Sequence, residues 1–289
     1  MNIALSKSDA LHVDHWHGFM DDRFRAALYE SWWHDDRVNY WRHTRLLAPV
    51  LEVLGGLKKT SWLTIGDGAG TDAWRLLKAG FGPVLATDLD TTVLERTKRL
   101  GHITDYQVAN AERLQFADQS FDFVLCKEAL HHMARPYAGI YECLRVARYG
   151  AIFIEPQDPW IDSPLRRDPQ RPHYESVGNY VYQFSAREAE KIGYGMNLRC
   201  VITRGMVDIY IPNCEFAIKA QGNPIWEEIS KKTDEAEALV QSNMAKGNYI
   251  QFLLMKQSVD PGLIELLAKQ HPQWQFTRTD TNPYLKTNR

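Results

Sequence analysis

The chain has 289 residues, 44% hydrophobic and 24% charged, which is ordinary globular usage and excludes a disordered or fibrous protein. Lys and Arg total 34 against 36 Asp and Glu, a net charge of −2, so a general nucleic-acid binder, which needs a basic excess, is not expected. A chain this long buries enough surface to hold a core without disulfides or a structural metal.

The first sixty residues read as helical. Segments 21–33 and 36–56 carry apolar residues at helical spacing, and the second closes on Gly55-Gly56. Residues 1–18 break with charge and His before an apolar leader could form, and no apolar run reaches bilayer length. A cytoplasmic protein without a membrane span is therefore expected. From residue 61 the pattern changes to short apolar runs at 61–66, 83–88, 103–110, 121–126 and 150–156, with helix-like stretches at 71–80, 91–101 and 136–148 between them. Such alternation predicts βαβ units, hence a doubly wound α/β fold with a mostly parallel sheet.

After a Pro- and Asp-rich loop (156–174) the sequence predicts a helix at 185–195, a strand at 198–211, a long polar helix at 223–247 and a last strand at 248–256. A short helix (261–269) and a polar tail follow. The expected organisation is an N-terminal helical cap (1–58), a ligand-binding domain (59–256) with an insertion at 212–247, and a C-terminal helix and tail (257–289). Cys126, Cys143, Cys200 and Cys214 form no C-x-x-C pair and read as buried thiols.

Chemistry concentrates at the predicted strand ends. In WLTIGDGAGTDAW (62–74) a strand runs into Gly66, Gly68 and Gly70 and then a helix, so backbone can approach a ligand closely beside free helix N–H groups. A dinucleotide fingerprint would want a further glycine where Ala73 stands. A tight turn without a ligand is the bland alternative. Asp88 closes the second strand, where an acid can hold both ribose hydroxyls, while Asp90 is placed to cap the next helix. The third strand leads into Asn110-Ala111-Glu112, and the fourth into CKEALHHM (126–133). Ligand-facing residues at three strand ends describe a switch-point crevice.

In these motifs the sequence resembles the class I S-adenosylmethionine-dependent methyltransferases of the small-molecule type, over residues 60–157 and more loosely to 256. The resemblance implies a seven-stranded Rossmann-like sheet and S-adenosyl-L-methionine as cofactor, with S-adenosyl-L-homocysteine as product. It also implies that the turn Gly66–Gly70 contacts the methionine part, Asp88 the ribose and Leu89 the adenine face. Asn110 and Ala111 would read the adenine edge with Glu112 nearby, and Cys126 and Lys127 would border the methionine end. The family's acid two residues before the first glycine is Thr64 here, so Asp67 is expected to reach the cofactor amine. Asn110 replaces a commoner Asp and can still accept a hydrogen bond.

The segment after the fourth strand would lie beside the transferred methyl. If the acceptor is a hydroxyl, its proton must be removed, and His131, His132 and Glu128 are the catalytic candidates, His131 first with Glu128 orienting it. Histidines there can equally be only a pocket wall. His12, His15, His17 and His34 lack metal-site spacing, and no metal is expected. Trp16, Trp32, Trp33 and Trp41 either line an acceptor pocket or pack helices on the sheet. Residues 12–45 and the 156–183 loop are expected to roof that pocket. The wording TIGDG…CKEALHH…IEP is similar to methyltransferases of surface-polysaccharide and secondary-metabolite genes, which implies O-methylation of a sugar or natural product. The alternatives are a catalytically silent binding module of the same fold and a nicotinamide-dependent oxidoreductase.

Overall fold

The structure, a computed structural model, describes residues 7–158, 174–175 and 178–279. Eight strands form one sheet: β1 (Trp62–Ile65), β2 (Val84–Asp88), β3 (Asp105–Val108), β4 (Phe121–Lys127), β5 (Ala147–Pro156), β6 (Cys200–Met206), β7 (Tyr249–Met255) and β8 (Gln275–Arg278). Their order is β3-β2-β1-β4-β5-β7-β6-β8. The first five pair in parallel, and β7 enters antiparallel between β5 and β6.

The central strands are continuous apolar runs because both faces are covered. Trp62, Phe123, Leu125, Ile152, Ile154, Ile202 and Leu253 point to one face, where they meet α3 (Val38–Val53), α4 (Thr71–Lys78) and α9 (Pro261–Gln270). Their neighbours Leu63, Val124, Ala151, Phe153, Val201 and Phe252 point to the other, under α6 (Pro136–Val146) and α7 (Ala186–Gly195). This alternation is the period of two that a pleated strand imposes. All four cysteines are free and buried, as the sequence predicts. Among the described residues no helix is long and apolar enough to cross a membrane.

Among the described residues the sheet has eight strands, where the resemblance implies seven. Gln275–Arg278, read as part of a polar tail, pairs antiparallel with Cys200–Thr203 at the sheet edge. Phe276 is its one large apolar side chain and packs against the core; a four-residue segment with a single apolar anchor gives no periodic signal. The remaining helices are α1 (Lys7–His17), α2 (Arg23–Ser31), α5 (Thr92–Arg99) and α8 (Pro224–Gln241). Asn223 caps α8 through bonds from the Ile225 and Trp226 amides. Ile229 of α8 and Cys214 and Ala217 before it bury against Val38 of α3, and a buried Arg42–Asp208 ion pair ties α3 to the end of β6. The segment from 212 to 247 thus packs on the N-terminal helices, which it holds over the carboxyl edge of the sheet.

Candidate active site

The β1–α4 turn is built around one carboxylate. Asp67 accepts hydrogen bonds from Thr64 Oγ1 (2.8 Å) and from the amides of Asp72 (3.0 Å) and Ala73 (2.9 Å). It satisfies two of the free N–H groups that every helix start leaves over. Burial, then the neighbouring Asp72 charge, push its carboxyl above the usual range. Asp67 therefore faces the inside of the turn, not the cleft where the resemblance would put it. Thr64 supplies the hydroxyl that completes this arrangement, which explains why an acid is dispensable there. Gly66 and Gly68 adopt positive φ (63° and 39°) in close quarters. A Cβ on Gly66 would collide with Ala129, and one on Gly68 would stand 2.5 Å from the Trp16 indole.

Asp88 ends β2 with its carboxylate against the turn: Oδ2 accepts from the Gly68 amide at 2.8 Å and Oδ1 from Asp90 N at 3.3 Å. Burial raises its pKa to about 6, against the pull of those amides. At the end of β3, Asn110 Oδ1 accepts from the Glu112 amide (2.8 Å), and the Glu112 carboxylate accepts from the Arg135 amide and Nε (2.6 and 2.7 Å). Asn110 shapes this loop with one lone pair and keeps the other available.

Two separate networks meet after β4. In the first, Glu128 sits at positive φ (54°), a strained conformation for a residue with a side chain. Its carboxylate accepts from Lys127 Nζ (3.0 Å) and the Tyr249 hydroxyl (2.9 Å) and lies 3.2 Å from His43 Nδ1. Despite burial, Lys127 and then His43 hold the Glu128 carboxyl well below its ordinary value. Lys127 also stands 3.5 Å from Asp72. In the second network Glu155, fully buried at the end of β5, accepts from the amides of Ala129 (3.0 Å) and Leu130 (2.8 Å) and contacts His131 Nδ1 at 2.6 Å. Burial disfavours a charged imidazole, but the Glu155 carboxylate outweighs it and raises the His131 pKa. Glu155, not Glu128, orients His131. The motif IEP contains this residue, yet 24 positions separate the partners.

A cavity of about 130 Å³ joins these parts. Gly66, Asp88, Leu89, Asn110, Ala111 and Glu112 line one side, and Glu128, Ala129, His132 and Met133 the other; Asp9, His12 and Trp16 of α1 close it. Asp67, Gly70, Cys126, Lys127 and His131 stand behind this wall. Trp16 covers Gly68, while Trp33 stacks on His102 and Trp41 meets Trp226 edge-on, so one of these indoles borders the cleft and two serve packing. The N-terminal histidines separate: His12 lies beside His132 (ring centroids 4.8 Å) and His17 near Asp90 (3.5 Å). Of the proposed roof, residues 159–173 and 176–177 lie outside the described residues. From the remainder, Glu175 reaches His132 (2.7 Å), and Asn179 Nδ2 donates to the His131 carbonyl (3.2 Å).

The Asp67 geometry has a measurable consequence. Asp67→Ala strands two buried amides, each costing about 1–3 kcal/mol, so urea unfolding should show a loss of about 2–6 kcal/mol with an unchanged slope. Asp67→Asn keeps one acceptor oxygen and should lose less. A variant as stable as the natural chain would mean that the turn does not depend on this carboxylate.

Residues 63–154 match the family described as a methyltransferase domain. The chain is 26% identical over 176 residues to a ubiquinone/menaquinone biosynthesis C-methyltransferase of Bartonella tribocorum, an alignment covering 52% of this chain and 68% of that one. It is 27% identical over 188 residues to the 27-O-demethylrifamycin SV methyltransferase of Amycolatopsis mediterranei, covering 59% and 68%. Among solved structures, phosphoethanolamine N-methyltransferase 2 of Haemonchus contortus, in complex with S-adenosyl-L-methionine, superposes with a TM-score of 0.57 at 17% identity, covering 88% of this chain and 60% of that one. A methyltransferase of Thermotoga maritima, described as a possible histamine N-methyltransferase, gives 0.53 at 16% identity, covering 84% and 99%. The domain match begins in β1 and ends in β5, the strands that carry the glycine turn and Glu155, so this part of the chain is a methyltransferase domain with the fold of the S-adenosylmethionine-dependent enzymes.

Proposed function

We propose that this methyltransferase acts on a hydroxyl of a small-molecule or glycan acceptor, with the donor along the ends of β1–β3 and the acceptor above β4 and β5. The observation that carries this reading is the pair of imidazole–carboxylate contacts, His131–Glu155 and His132–Glu175, beside the wall that would face the transferred methyl. The name of the rifamycin relative, an O-methyltransferase by its position label, supports it; the quinone relative is named for C-methyl transfer. Residues 1–58 serve as cap and 59–256 as catalytic domain in this reading, with 257–289 as an appended helix and edge strand.

The residues present suit the donor. Gly66 and Gly68 admit no side chain, so backbone can approach the methionine part of the cofactor, and Gly70 starts the helix behind them. Asp88 would accept from the ribose hydroxyls, Leu89 would pack on adenine, and Asn110 and Ala111 would meet its edge with Glu112 bracing the loop. Cys126 and Lys127 back the methionine end, and Asp67 holds the turn from within. The donor supplies an electrophilic methyl. An acceptor oxygen in line with that methyl would take it as the bond to sulfur breaks, and the His131–His132 cluster would hold the acceptor's proton. Positioning the two reactants supplies much of the rate. His132 lines the cavity and His131 is turned onto Glu155, so His132 is placed nearer the acceptor and His131 braces it.

The donor needs more room than 130 Å³; sites for ligands of this size run to roughly 300 Å³ and above. Trp16 against Gly68 is the obstruction, so α1 must withdraw for entry. Trp16→Ala should raise the association rate of the donor about tenfold in stopped-flow fluorescence, the effect of losing ~1.4 kcal/mol of indole packing; an unchanged rate would mean entry by another path. Ribose binding favours the ionised Asp88. Because its pKa in the free protein is raised to about 6, donor affinity should rise with pH through that value and level off above it. In Asp88→Asn the pH dependence should vanish and affinity fall by about 1.5–3 kcal/mol, as titration calorimetry would show. His132→Gln should lower turnover of a hydroxylated acceptor by about 10²–10⁴ and leave donor affinity intact; retention of a third of the activity would make His132 a wall only.

A further inference from the structure

Three polar atoms around the His131–His132 corner are buried without a hydrogen-bond partner: His12 Nε2, His132 Nδ1 and Asn179 Oδ1. His132 Nδ1 lies 2.7 Å from Glu175 Oε2, close enough to touch but not aligned to donate. Buried orphans are rare, and each asks for an explanation. Each can offer a lone pair to a cation, the two histidines in the tautomer that leaves that atom unprotonated.

Ligating atoms of His131, His132 and Glu175 all lie within 4.8 Å of one another. Imidazole nitrogens and carboxylate oxygens sit about 2.0–2.2 Å from zinc in a tetrahedral set, so neighbouring ligand atoms stand about 3.4 Å apart and the cluster contracts by up to about 1.4 Å on binding. His131 also has the support that metal-bound histidines have. Its Nδ1 is held by the buried Glu155 carboxylate at 2.6 Å, which fixes the tautomer and leaves Nε2 with its lone pair. The sequence spacing conceals this set, because Glu175 arrives from a segment more than forty residues on.

We propose that His131, His132 and Glu175 form a divalent-metal site at the edge of the cavity, braced by Glu155, whose open positions take oxygen atoms of the acceptor. Two imidazoles and one carboxylate select a borderline ion such as zinc over magnesium or calcium. A coordinated hydroxyl loses its proton more readily, so the proposal rests on the hydroxyl-acceptor reading and states how the cluster removes that proton. His12 and Asn179 border the ion and can bond to its remaining ligands.

The test uses the full chain, stripped with a chelator, incubated with zinc and desalted before metal analysis. About one zinc per chain is expected, and a cobalt-substituted sample should show visible d–d absorption. His132→Gln and Glu175→Gln should each weaken zinc binding at least tenfold. Glu155→Gln should retain the site with affinity reduced about 10–100-fold. Donor affinity by calorimetry should agree within twofold between stripped and zinc-loaded protein, and between the natural chain and each variant, which shows that the variants are folded. No retained zinc and no cobalt spectrum in the natural chain, or equal binding in all three variants, overturns the site. Turnover of a hydroxylated acceptor that survives chelation overturns it too and leaves the acceptor reading standing. Zinc lost only in the variants, with no hydroxylated compound methylated, keeps the metal site and overturns the acceptor reading.

Discussion

The rest of the cleft depends on the inward turn of the Asp67 carboxylate. By binding Thr64 and the first amides of α4, it fixes where the chain leaves β1 and where the helix begins. The glycine backbone is thereby pressed outward, and the Gly68 amide meets the Asp88 carboxylate at 2.8 Å. Strand ends that are neighbours in the sheet become neighbours in the cleft through this one turn. An acid that reached the ligand from position 67 could not also cap α4, because both of its oxygens are already engaged.

A similar economy governs the corner after β4. Glu128 takes a strained backbone conformation and is held by Lys127, Tyr249 and His43. That network links β4 and β7 to α3, and so to the N-terminal helices. Glu155 serves the other side: its oxygens bind two backbone amides and one imidazole. A buried carboxylate is tolerable only when its lone pairs are satisfied, and here satisfying them also aims the histidine. The two networks make neighbouring residues, Glu128 and His131, answer to different parts of the fold.

The N-terminal helices connect both. Trp16 lies on the glycine turn, His12 on His132, and His43 beside Lys127 and Glu128. The α8 region packs on α3 through Ile229, Cys214 and Ala217, so the segment outside the matched domain braces the N-terminal helices.

By itself the sequence determined the sheet, the glycine turn and the acid at the end of β2. Strands buried on both faces appear as unbroken apolar runs, and turn chemistry is local, so both leave marks within a few residues. The resemblance in these same residues supplied the family and its donor. It also assigned Asp67 to the cleft, and the tertiary structure turned that side chain inward, because the helix start needed an acceptor more than the cleft did. The edge strand β8, the pairing of His131 with Glu155, the meeting of His132 with Glu175 and the seat of Trp16 on Gly68 were decided only by the fold. Each joins residues from distant parts of the chain, and a contact made by chain crossing leaves no period or spacing in the sequence from which it could be read.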